Sequence, residues 1–598
     1  MADYRAPVDD LRFALHNVGD LAGLAKLPGY GEAEPELVDQ ILEEAGRVAN
    51  EVWAPINRSG DLEGVKLDNG VVRTAKGFAD AYQTYVDSGF NTLAFDPDYG
   101  GQGLPWTLAL GLMELWNAAN MSLALNPLLT IGAVELLQTH GTQAQRDTYL
   151  PKLISGQWTG TMNLSEPEAG TDVGALKTHA ERAEDGSYRI TGQKIYITWG
   201  EHDMAENIVH MVLARLPDAP AGTKGISLFL VPKFIPDNTG EPGRRNDVRC
   251  VSLEHKLGIH ACATCTLAFG DDEGAVGLLV GEENGGMKAM FTMMNNARLA
   301  VGVQGVAIAE RAYQDARAWA FDRIQSRDIR GSKQSVPIVR HPDVRRMLLE
   351  MRSRIEAGRA LALYAGNALD RAKQAPDADD RATAQSEVDL LVPVVKAWCT
   401  DMGVEVSSLA IQVHGGMGFI EESGVCQHYR DARIAPIYEG TNGVQALDLM
   451  GRKVLRDDGA AAMSLIGRLR QVLDELDQAG GDPTAAIREN TAQGLDALES
   501  ATQALLELGR DDLAKAAAVA TPYLQLFGTV AGGALLAKQA AAAARQLGTG
   551  AQTRRDVLQG KLGGARYYAA NVMPRAQSLL AEVRQGADST LELDETLF

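Results

Sequence analysis

Short β-type segments between residues 157 and 285 separate two long regions of helical periodicity, and this order limits the possible folds. Before them, stretches such as "ELVDQILEEAGRVANEVW" carry apolar residues three to four positions apart, which predicts amphipathic helices. Within the middle region, "SYRITGQKIYIT" and "GISLFLVPK" are alternating or β-branched and are bounded by turn residues. This order differs from the strand–helix alternation of a doubly wound sheet, so we predict an α+β, mostly helical fold with a central β-sandwich or barrel.

A chain of 598 residues is too long for one hydrophobic core, so several domains are expected. Beyond Arg456, about four Ala-rich amphipathic helices without clustered His, Cys or convergent acids indicate a bundle with a packing or oligomerisation role. The predicted segments are an N-terminal extension (1–34), an N-terminal helical domain (35–156), a middle β domain (157–285), a second helical domain (286–455) and a C-terminal helical bundle (456–598).

The net charge and the uncharged apolar stretches of the sequence indicate whether the chain binds nucleic acid or enters a membrane. The net charge of −21 argues against a nucleic-acid binder, which would carry a basic stripe. The uncharged stretch between Lys515 and Lys538 has the length of a membrane span, but its Ala, Gly and Pro522 favour a buried helix. Asp9 and Asp10 stand where a signal peptide needs an apolar core, so we expect a cytoplasmic protein.

The stretch "HACATC" has the C-x-x-C spacing of metal and redox sites. A zinc knuckle needs a second ligand pair, and no other cluster of Cys or His supplies one. A redox pair opens a helix, whereas "TCTLAF" predicts a strand. We therefore predict a structural role for Cys262 and Cys265, and no metal site.

The stretch "IAPIYEGTNGVQ" places Glu439 between Tyr438 and Gly440 after an apolar run. An unpaired carboxylate in apolar surroundings is unfavourable, so Glu439 needs either a partner or a chemical task. The residue pattern alone leaves both explanations open.

Three Gly-rich stretches, "DYGGQGLP", "EPEAGTDVGA" and "HGGMGFI", are compatible with nucleotide binding. None has the context of a Rossmann fingerprint, and none is a Walker loop. The best candidate is "NLSEPEAGTD", which joins a strand end to a loop with small hydroxyl residues. Such a loop can present backbone N–H groups to an anion or to a polar ring edge.

Three motifs, "NLSEPEAGTDV", "ITGQKIYITWG" and "GGMGFIEESGVCQHYRDARIAPIYEGTNGVQ", follow one another on this α–β–α plan. Together they resemble the acyl-CoA dehydrogenase flavoprotein family over roughly residues 40 to 455. The C-terminal bundle and the "YRAPVDDLRF" start are similar to a long-form bacterial branch of that family. The resemblance implies FAD-dependent α,β-dehydrogenation of an acyl-CoA to the trans-2-enoyl-CoA, with electrons passed to an electron-transfer flavoprotein. It favours short-to-medium acyl chains, including a 3-methylthiopropionyl chain.

The resemblance also implies a set of FAD contacts. In the family the cofactor lies between the β module and the second helical module and is completed by a neighbouring subunit, which implies a homodimer or a dimer of dimers. Tyr196 stands where the family usually has Trp, and His341 precedes Pro342 where the family has Gln. The implied FAD contacts are Met162, Leu164, Ser165, Thr171, Tyr196, Thr198, Arg323, His341, Gln412, Gly415, Gly416 and Thr441.

Some positions depart from the family pattern. Ser326 replaces the usual Phe, Gly443 stands where the family often has Gln, and "DIRGSKQS" is similar to an insertion before His341. The departures concern FAD contacts that the resemblance implies.

The resemblance assigns Glu439 as the base that removes the α-proton of the thioester, with Gly440 leaving room for it. Some relatives carry the base on the helix matching "NNARLA", where this chain has Ala297. Substrate contacts are implied for Asn295, Arg298 and Thr171. Three other functions stay open: a long-chain acyl-CoA dehydrogenase, an acyl-CoA oxidase that uses oxygen, and a non-catalytic acyl-CoA-binding protein.

Overall fold

A computed structural model describes residues 3–549 and 554–598 of the chain. The predicted α+β, mostly helical fold is confirmed. The helices are α1 (Val8–Asn17), α2 (Leu21–Leu24), α3 (Pro35–Val48), α4 (Asn57–Glu63), α5 (Phe78–Asp87), α6 (Trp106–His140), α7 (Gln143–Ile154), α8 (Gly286–Asp322), α9 (Pro342–Gln374), α10 (Ala378–His414), α11 (Val425–Ala432), α12 (Asn442–Asp448), α13 (Ala460–Ala479), α14 (Asp482–Asp511), α15 (Leu513–Ala518), α16 (Ala520–Gly548), α17 (Arg555–Asn571) and α18 (Arg575–Leu591).

The strands are β1 (Lys66–Asp68), β2 (Val71–Arg73), β3 (Trp158–Asn163), β4 (His179–Arg182), β5 (Tyr188–Thr198), β6 (Asn207–Arg215), β7 (Ile226–Pro232), β8 (Phe234–Pro236), β9 (Pro242–Arg245), β10 (Val248–Leu253), β11 (Thr264–Phe269), β12 (Ala275–Val280), β13 (Ile324–Arg327) and β14 (Ser335–Pro337). Ten of the fourteen strands found in the described residues lie in the predicted middle region, and two short hairpins, β1–β2 and β13–β14, lie in the regions predicted to be helical. The strand predicted at "TCTLAF" is confirmed as β11.

One large sheet forms the centre of the middle region. Its strand order is β10-β11-β5-β12-β7-β6-β3, and β4 pairs with both β5 and β6. Strand β6 pairs in parallel with β3 and β4, whereas the other pairs are antiparallel. Every residue of β7 is buried, which explains why its sequence is a continuous apolar run.

The chain folds into two compact units, each made of segments distant in sequence. The β-containing unit comprises Arg47–Leu104 and Ala119–Ala297, and the helical unit comprises Met1–Gly46, Pro105–Ala118 and Arg298–Phe598. Helix α6 passes from one unit to the other, and the backbone of Asn120 leaves the helical region there, with φ −157° and ψ 91°.

The helical unit joins the C-terminal bundle to α9 and α10 through helix α16. The indole Nε1 of Trp398 in α10 donates to the hydroxyl of Thr529 at 3.2 Å. Gly528 lies so close to the same ring that a Cβ there would be 2.3 Å from Trp398 Cγ. The bundle is therefore packed against the helices that carry the C-terminal motifs.

A buried cation also connects the two ends of the chain within the helical unit. Lys561 of α17 is fully buried, and its Nζ lies 2.6 Å from Asp10 Oδ1 and 3.5 Å from Glu356 Oε1. Lys561 holds the pKa of the Asp10 carboxyl well below its usual range, although burial opposes this. Helix α1 is thus fixed to α9 and α17 by charge as well as by packing.

About four helices were predicted in the C-terminal region, and its described residues form six, α13 to α18. Asp512 has extended backbone, and its side chain caps α15, which separates the short α15 from α14. The interruption at Val519 then separates α15 from α16. Short helices of this kind carry too few turns for a periodicity search to resolve them.

Two described helices, α6 and α16, are long and apolar enough to cross a membrane by length and composition alone. Most of the apolar window of each is buried within the protein, 89% for α6 and 94% for α16. The prediction of a buried helix between Lys515 and Lys538 is confirmed for α16.

Candidate active site

The turn that carries Glu439 has an unusual backbone. Glu439 has φ 58° and Gly440 has φ 88°, so two consecutive residues adopt the left-handed region. A Cβ at Gly440 would lie 2.7 Å from Gln445 Nε2, so both conformation and space require glycine. A non-glycine residue in this region costs about 1–3 kcal/mol and persists where the surrounding structure holds it. Strain of this kind marks Glu439 as a candidate functional residue.

Two cations of the helical unit hold the main chain of this turn. The Nε of Arg298 in α8 donates to the carbonyl of Glu439 at 3.3 Å. The Nζ of Lys396 in α10 donates to the carbonyl of Gly440 at 2.8 Å. Hydrogen bonds from charged donors are stronger than neutral ones, so these two bonds offset the strain of the turn.

The residues on either side of the turn are also held. The hydroxyl of Tyr438 donates to Gln304 Oε1, and Gln304 donates to Asn117 Oδ1 at 3.0 Å. On the other side, the Thr441 hydroxyl accepts from the backbone N–H of Val444 and caps α12. The backbone of Glu439 is thus fixed from both directions.

The carboxylate of Glu439 has a different environment from its backbone. Among the described residues, no side chain or backbone group donates a hydrogen bond to it. Desolvation raises its pKa from 4.5 to about 7, although the nearby charges of Arg298 and Lys396 act in the opposite direction. A carboxylate with a raised pKa is a stronger base, and one without a protein donor can accept a proton from a ligand.

The same desolvation acts on the two cations. It lowers the pKa of Lys396 from 10.5 to about 7 and also lowers that of Arg298, whereas the Glu439 carboxylate opposes both shifts. Of the substrate contacts predicted from the sequence, Arg298 and Gly440 therefore lie at Glu439. Asn295 is exposed on α8 one turn before Arg298, and Ala297 is buried.

In the β-containing unit, the loop after β3 carries several predicted cofactor contacts. Met162 lies in β3 and is partly exposed, as are Leu164 and Ser165. The carbonyl of Leu164 accepts from Lys194 Nζ at 3.0 Å, and that of Ser165 accepts from the backbone N–H of Ile195 at 3.0 Å. The loop is therefore attached to β5 by both of these carbonyls.

A buried ion pair stabilises this loop. Lys194 Nζ lies 2.7 Å from Glu166 Oε1, and both side chains are buried. Glu166 also accepts from the backbone N–H groups of Lys177 and Thr178. Desolvation lowers the pKa of Lys194 to about 8, whereas Lys194 lowers that of Glu166 in spite of burial.

Strand β5 ends in groups suited to a flat heterocycle. Tyr196 is 62% exposed, although it belongs to a strand, and its φ of 60° turns the backbone away from regular pleating. Thr198 is partly exposed at the end of the strand, and Thr171 is exposed in the loop. An open aromatic face beside hydroxyl groups matches a ring system with polar edges, such as a flavin.

In the helical unit, the C-terminal ends of α8 and α10 meet. Trp319 stacks on His414 with ring centroids 5.1 Å apart, and the guanidinium of Arg323 lies 6.0 Å from the Trp319 ring. Gln412, Gly415 and Gly416 are exposed at the same end of α10. This end of the unit therefore presents a cation and amide groups, a donor set that suits a diphosphate and a nucleoside.

The suspected insertion "DIRGSKQS" forms a hairpin loop between β13 and β14. Asp328 accepts from the backbone N–H of Arg330 at 2.9 Å and stabilises the loop. His341 follows the hairpin, and its Nε2 donates to the carbonyl of Gln325 at 2.7 Å. Ser326 has φ 62°, so this position is a bend in the strand.

Sequence reasoning missed several residues of the candidate site. Lys396 and Gln304 contact the residues around Glu439 from distant sequence positions. Asn442 lies within the motif of Glu439 but was given no role, although it accepts from Lys396. A signal existed for Lys396, because it is the single charge in the apolar run "LLVPVVKAW" of α10. Such a cation needs acceptors when the helix is buried.

Four family models match consecutive parts of the chain. They are the acyl-CoA dehydrogenase N-terminal domain at residues 36–157, the middle domain at 161–271, the C-terminal domain at 284–455, and the acetyl-CoA dehydrogenase C-terminal-like domain at 465–594.

Two relatives match over nearly their whole length. The chain is 47% identical to a 3-methylmercaptopropionyl-CoA dehydrogenase of Ruegeria pomeroyi, over 98% of this chain and 99% of the relative. It is 32% identical to a butyryl-CoA dehydrogenase of Syntrophomonas wolfei subsp. wolfei, over 100% and 99%.

A solved structure supports the same fold. Caenorhabditis elegans ACDH-11, crystallised in complex with C11-CoA, superimposes with a TM-score of 0.73 at 20% identity, and the match covers 92% of this chain and 89% of that one. The family models and the full-length relatives together lead to one conclusion. The chain belongs to the acyl-CoA dehydrogenase family of FAD-dependent oxidoreductases, in a long form with an additional C-terminal helical domain.

Proposed function

We propose that the chain dehydrogenates a short-to-medium acyl-CoA, including 3-methylthiopropionyl-CoA, to the trans-2-enoyl-CoA, with Glu439 as the base. The observation that carries this proposal is the state of Glu439. Arg298 holds its carbonyl and Lys396 holds that of the adjacent Gly440, while its carboxylate has a pKa raised to about 7 and no donor among the described residues. A structural carboxylate is paired, whereas a general base is left ready for its proton.

The reaction needs removal of a weakly acidic α-proton from a thioester. Glu439 takes this proton on its carboxylate, and the proton is retained there as the β-hydrogen leaves. A bound acyl chain excludes water from the carboxylate, which makes it a stronger base still. The thioester would approach the turn beside Gly440, where a side chain would not fit because a Cβ would lie 2.7 Å from Gln445 Nε2.

The residues present fit FAD as the cofactor of the family. The exposed face of Tyr196 and the hydroxyl of Thr198 would contact the ring system, and Arg323 would pair with the diphosphate. Met162, Leu164 and Ser165 would complete the ring contacts, and Thr171 the diphosphate. Bound FAD would supply the acceptor for the hydride from the β-carbon. The carbonyl hydrogen bonds of Leu164 and Ser165 fix the loop that makes these contacts.

We further propose that a second copy of the chain completes the cofactor site. Phe321, Ile324, Met417 and Phe419 are exposed apolar side chains at the ends of α8 and α10, next to Gln412. Exposed apolar groups in one region indicate a surface that is covered in an assembly. The homodimer would bring Gln412, Gly415 and Gly416 to the nucleoside part of the partner's FAD, and sedimentation of the holoenzyme tests it.

Anaerobic stopped-flow mixing of the yellow holoenzyme with saturated acyl-CoAs tests the proposed reaction. We expect loss of the flavin absorbance and formation of the 2-enoyl-CoA, fastest for butyryl-CoA or 3-methylthiopropionyl-CoA. Retained flavin colour with every acyl-CoA from four to sixteen carbons would contradict the proposal, as would a rate that rises steadily to sixteen carbons. The similarity to the two full-length relatives supports the short-chain preference.

We propose an electron-transfer flavoprotein as the acceptor from the reduced enzyme. Adding such a protein to the reduced, product-bound enzyme should restore the flavin absorbance much faster than air does. Rapid reoxidation by air with stoichiometric hydrogen peroxide would instead identify an oxidase.

A further inference from the structure

We propose that Lys396 is a positioning residue for proton abstraction, which holds the Glu439 turn through its backbone and places a cation beside the base. This inference rests on the proposed function, because it assigns Lys396 a part in the reaction of Glu439. Lys396 lies in the middle of α10, 43 residues before Glu439 in the chain. Its side chain is fully buried.

Among the described residues, the hydrogen-bond acceptors of the Lys396 ammonium belong to the turn that carries Glu439. Its Nζ donates to the carbonyl of Gly440 at 2.8 Å and to Asn442 Oδ1 at 2.8 Å. Both acceptors belong to residues within three positions of Glu439. A buried ammonium that served α10 alone would not need acceptors from this loop.

Asn442 makes the attachment rigid. Its amide nitrogen donates to Asp401 Oδ1 at 2.7 Å, to Thr400 Oγ1 at 3.0 Å and to the carbonyl of Ala397 at 3.1 Å. Asn442 therefore connects the Lys396 ammonium to a full turn of α10.

The charge of Lys396 adds an electrostatic effect to the positioning. The charged groups that face Lys396 are Glu439 and Asp401, with Arg298 as a second cation. Glu439 itself faces Arg298 and Lys396, and Arg298 also faces Asp448 and Arg452. Because the pKa of Lys396 is lowered to about 7, its charge acts on Glu439 mainly below neutrality. Removing that charge leaves the Arg298 cation beside Glu439, so the carboxylate should form at a higher pH.

Two variants separate the positioning effect of Lys396 from the effect of its charge. Lys396→Met removes both the hydrogen bonds and the charge at nearly constant length, and Lys396→Gln keeps a donor without the charge. Each is prepared as the FAD-loaded holoenzyme and mixed anaerobically with butyryl-CoA between pH 5.5 and 9. We expect Lys396→Met to reduce the limiting rate of flavin reduction at least about tenfold, with the apparent pKa of the rate displaced upward by about one unit. Lys396→Gln should show the upward displacement with a smaller loss of limiting rate.

Lys561→Met is the matched control, because Lys561 is equally buried but pairs with Asp10 and Glu356 instead of the turn. It should lower the melting temperature while leaving the reduction rate per bound flavin and its pH profile unchanged. A merely structural role of Lys396 would give the same result as this control. An unchanged rate and pH profile for both Lys396 variants would overturn the inference.

A further variant keeps the test decisive where Lys396→Met does not fold. Asn442→Ala retains the ammonium and removes its second acceptor, so we expect a lower limiting rate without a displaced pH profile. Wild-type rate in Asn442→Ala, together with wild-type behaviour of Lys396→Gln, would also overturn it. The wild-type protein distinguishes the two proposals: if it is not reduced by any acyl-CoA, the proposed function fails, whereas reduction of all enzymes alike refutes only the role of Lys396.

Discussion

The guanidinium of Arg298 donates to the main-chain carbonyl of Glu439 at 3.3 Å instead of pairing with its carboxylate. A cation beside a carboxylate usually forms an ion pair, which lowers the pKa of the acid and occupies its oxygens. Here the cation holds the backbone, and desolvation dominates the pKa of the side chain. Glu439 therefore has a fixed backbone and still keeps a basic carboxylate.

Replacement of Glu439 by Gln should leave the protein folded and yellow but nearly unable to reduce its flavin. The amide is nearly isosteric with the carboxylate, so the turn and its bonds to Arg298 and Lys396 are retained. It cannot accept the α-proton, and a positioned base contributes about 10²–10⁴ in rate. Anaerobic stopped-flow absorbance with an acyl-CoA measures this rate, while a spectral shift without reduction reports binding.

The control for this variant is Glu422→Gln, which changes an exposed acid in the same motif-rich stretch. It should reduce its flavin at the wild-type rate. If Glu439→Gln is reduced nearly as fast as Glu422→Gln, another residue is the base.

The rate of flavin reduction should depend on pH near neutrality. The pKa of Glu439 is raised to about 7, so the basic form is a minority at pH 6 and predominates at pH 8. We expect the second-order rate constant of flavin reduction at low acyl-CoA concentration, which reports the free enzyme, to rise about tenfold per pH unit below the pKa and to level off above it. A rate that is flat from pH 5.5 to 8.5 would contradict this assignment.

The same shift predicts a stability difference between the wild type and Glu439→Gln. The folded pKa is raised above 4.5, so the stabilising effect of protonation is present below pH 4.5 and is lost as pH rises through about 7. A shift of this size corresponds to at most roughly 3 kcal/mol. Thermal unfolding of the two proteins should therefore show the Gln variant gaining relative stability between pH 5 and 8. A constant difference over this range would show that Glu439 titrates normally.

Much of the fold followed from local sequence patterns. The strands of the middle region and the long helices on both sides have strong periodicities, and both were predicted. The grouping of residues 105–118 with the distant helices of the helical unit was not predictable from pattern. Periodicity reports which face of a segment is buried, not which distant segment covers it.

In the candidate site, too, some residues could be predicted from local sequence and others depend on distant contacts. Glu439 was recognisable because its motif is continuous in sequence, and Arg298 because its helix has a matching motif. Lys396 and Gln304 act through contacts made by folding, across 44 and 134 residues respectively. The left-handed backbone of Glu439 was also not predictable, because non-glycine residues seldom adopt it. The assigned roles of the FAD contacts stay predictions.

Arg323→Ala should weaken retention of FAD while the protein remains folded. Arg323 is exposed and rests on Trp319, so its removal disturbs little packing but deletes the cation proposed for the diphosphate. Arg317→Ala is a matched control, since Arg317 is also exposed on α8 and stacks on an aromatic ring, that of Phe321, at 5.2 Å. The measurement is flavin content after dialysis, with circular dichroism for the fold. Equal flavin content in the two variants would remove Arg323 from the site.

A pair of Gly→Ala variants should test the docking of the C-terminal bundle, with opposite effects on stability. In an open helix position, Ala is favoured over Gly by about 1 kcal/mol. Gly467 of α13 is such a position, because a Cβ there would meet nothing within 4 Å. A Cβ at Gly528 of α16 would instead lie 2.3 Å from Trp398 Cγ. This atom joins the indole ring to the α10 backbone, so the ring cannot move away without disturbing α10.

We therefore expect Gly467→Ala to raise the free energy of unfolding and Gly528→Ala to lower it by about 1–3 kcal/mol, the usual effect of overpacking. Urea titrations followed by tryptophan fluorescence measure both, and Trp398 itself should report the local change. The bundle helix α16 packs on the helix that carries Lys396, so Gly528→Ala should also slow flavin reduction, whereas Gly467→Ala should not. A stabilising effect of Gly528→Ala would show that α16 lies farther from α10 than the structure places it.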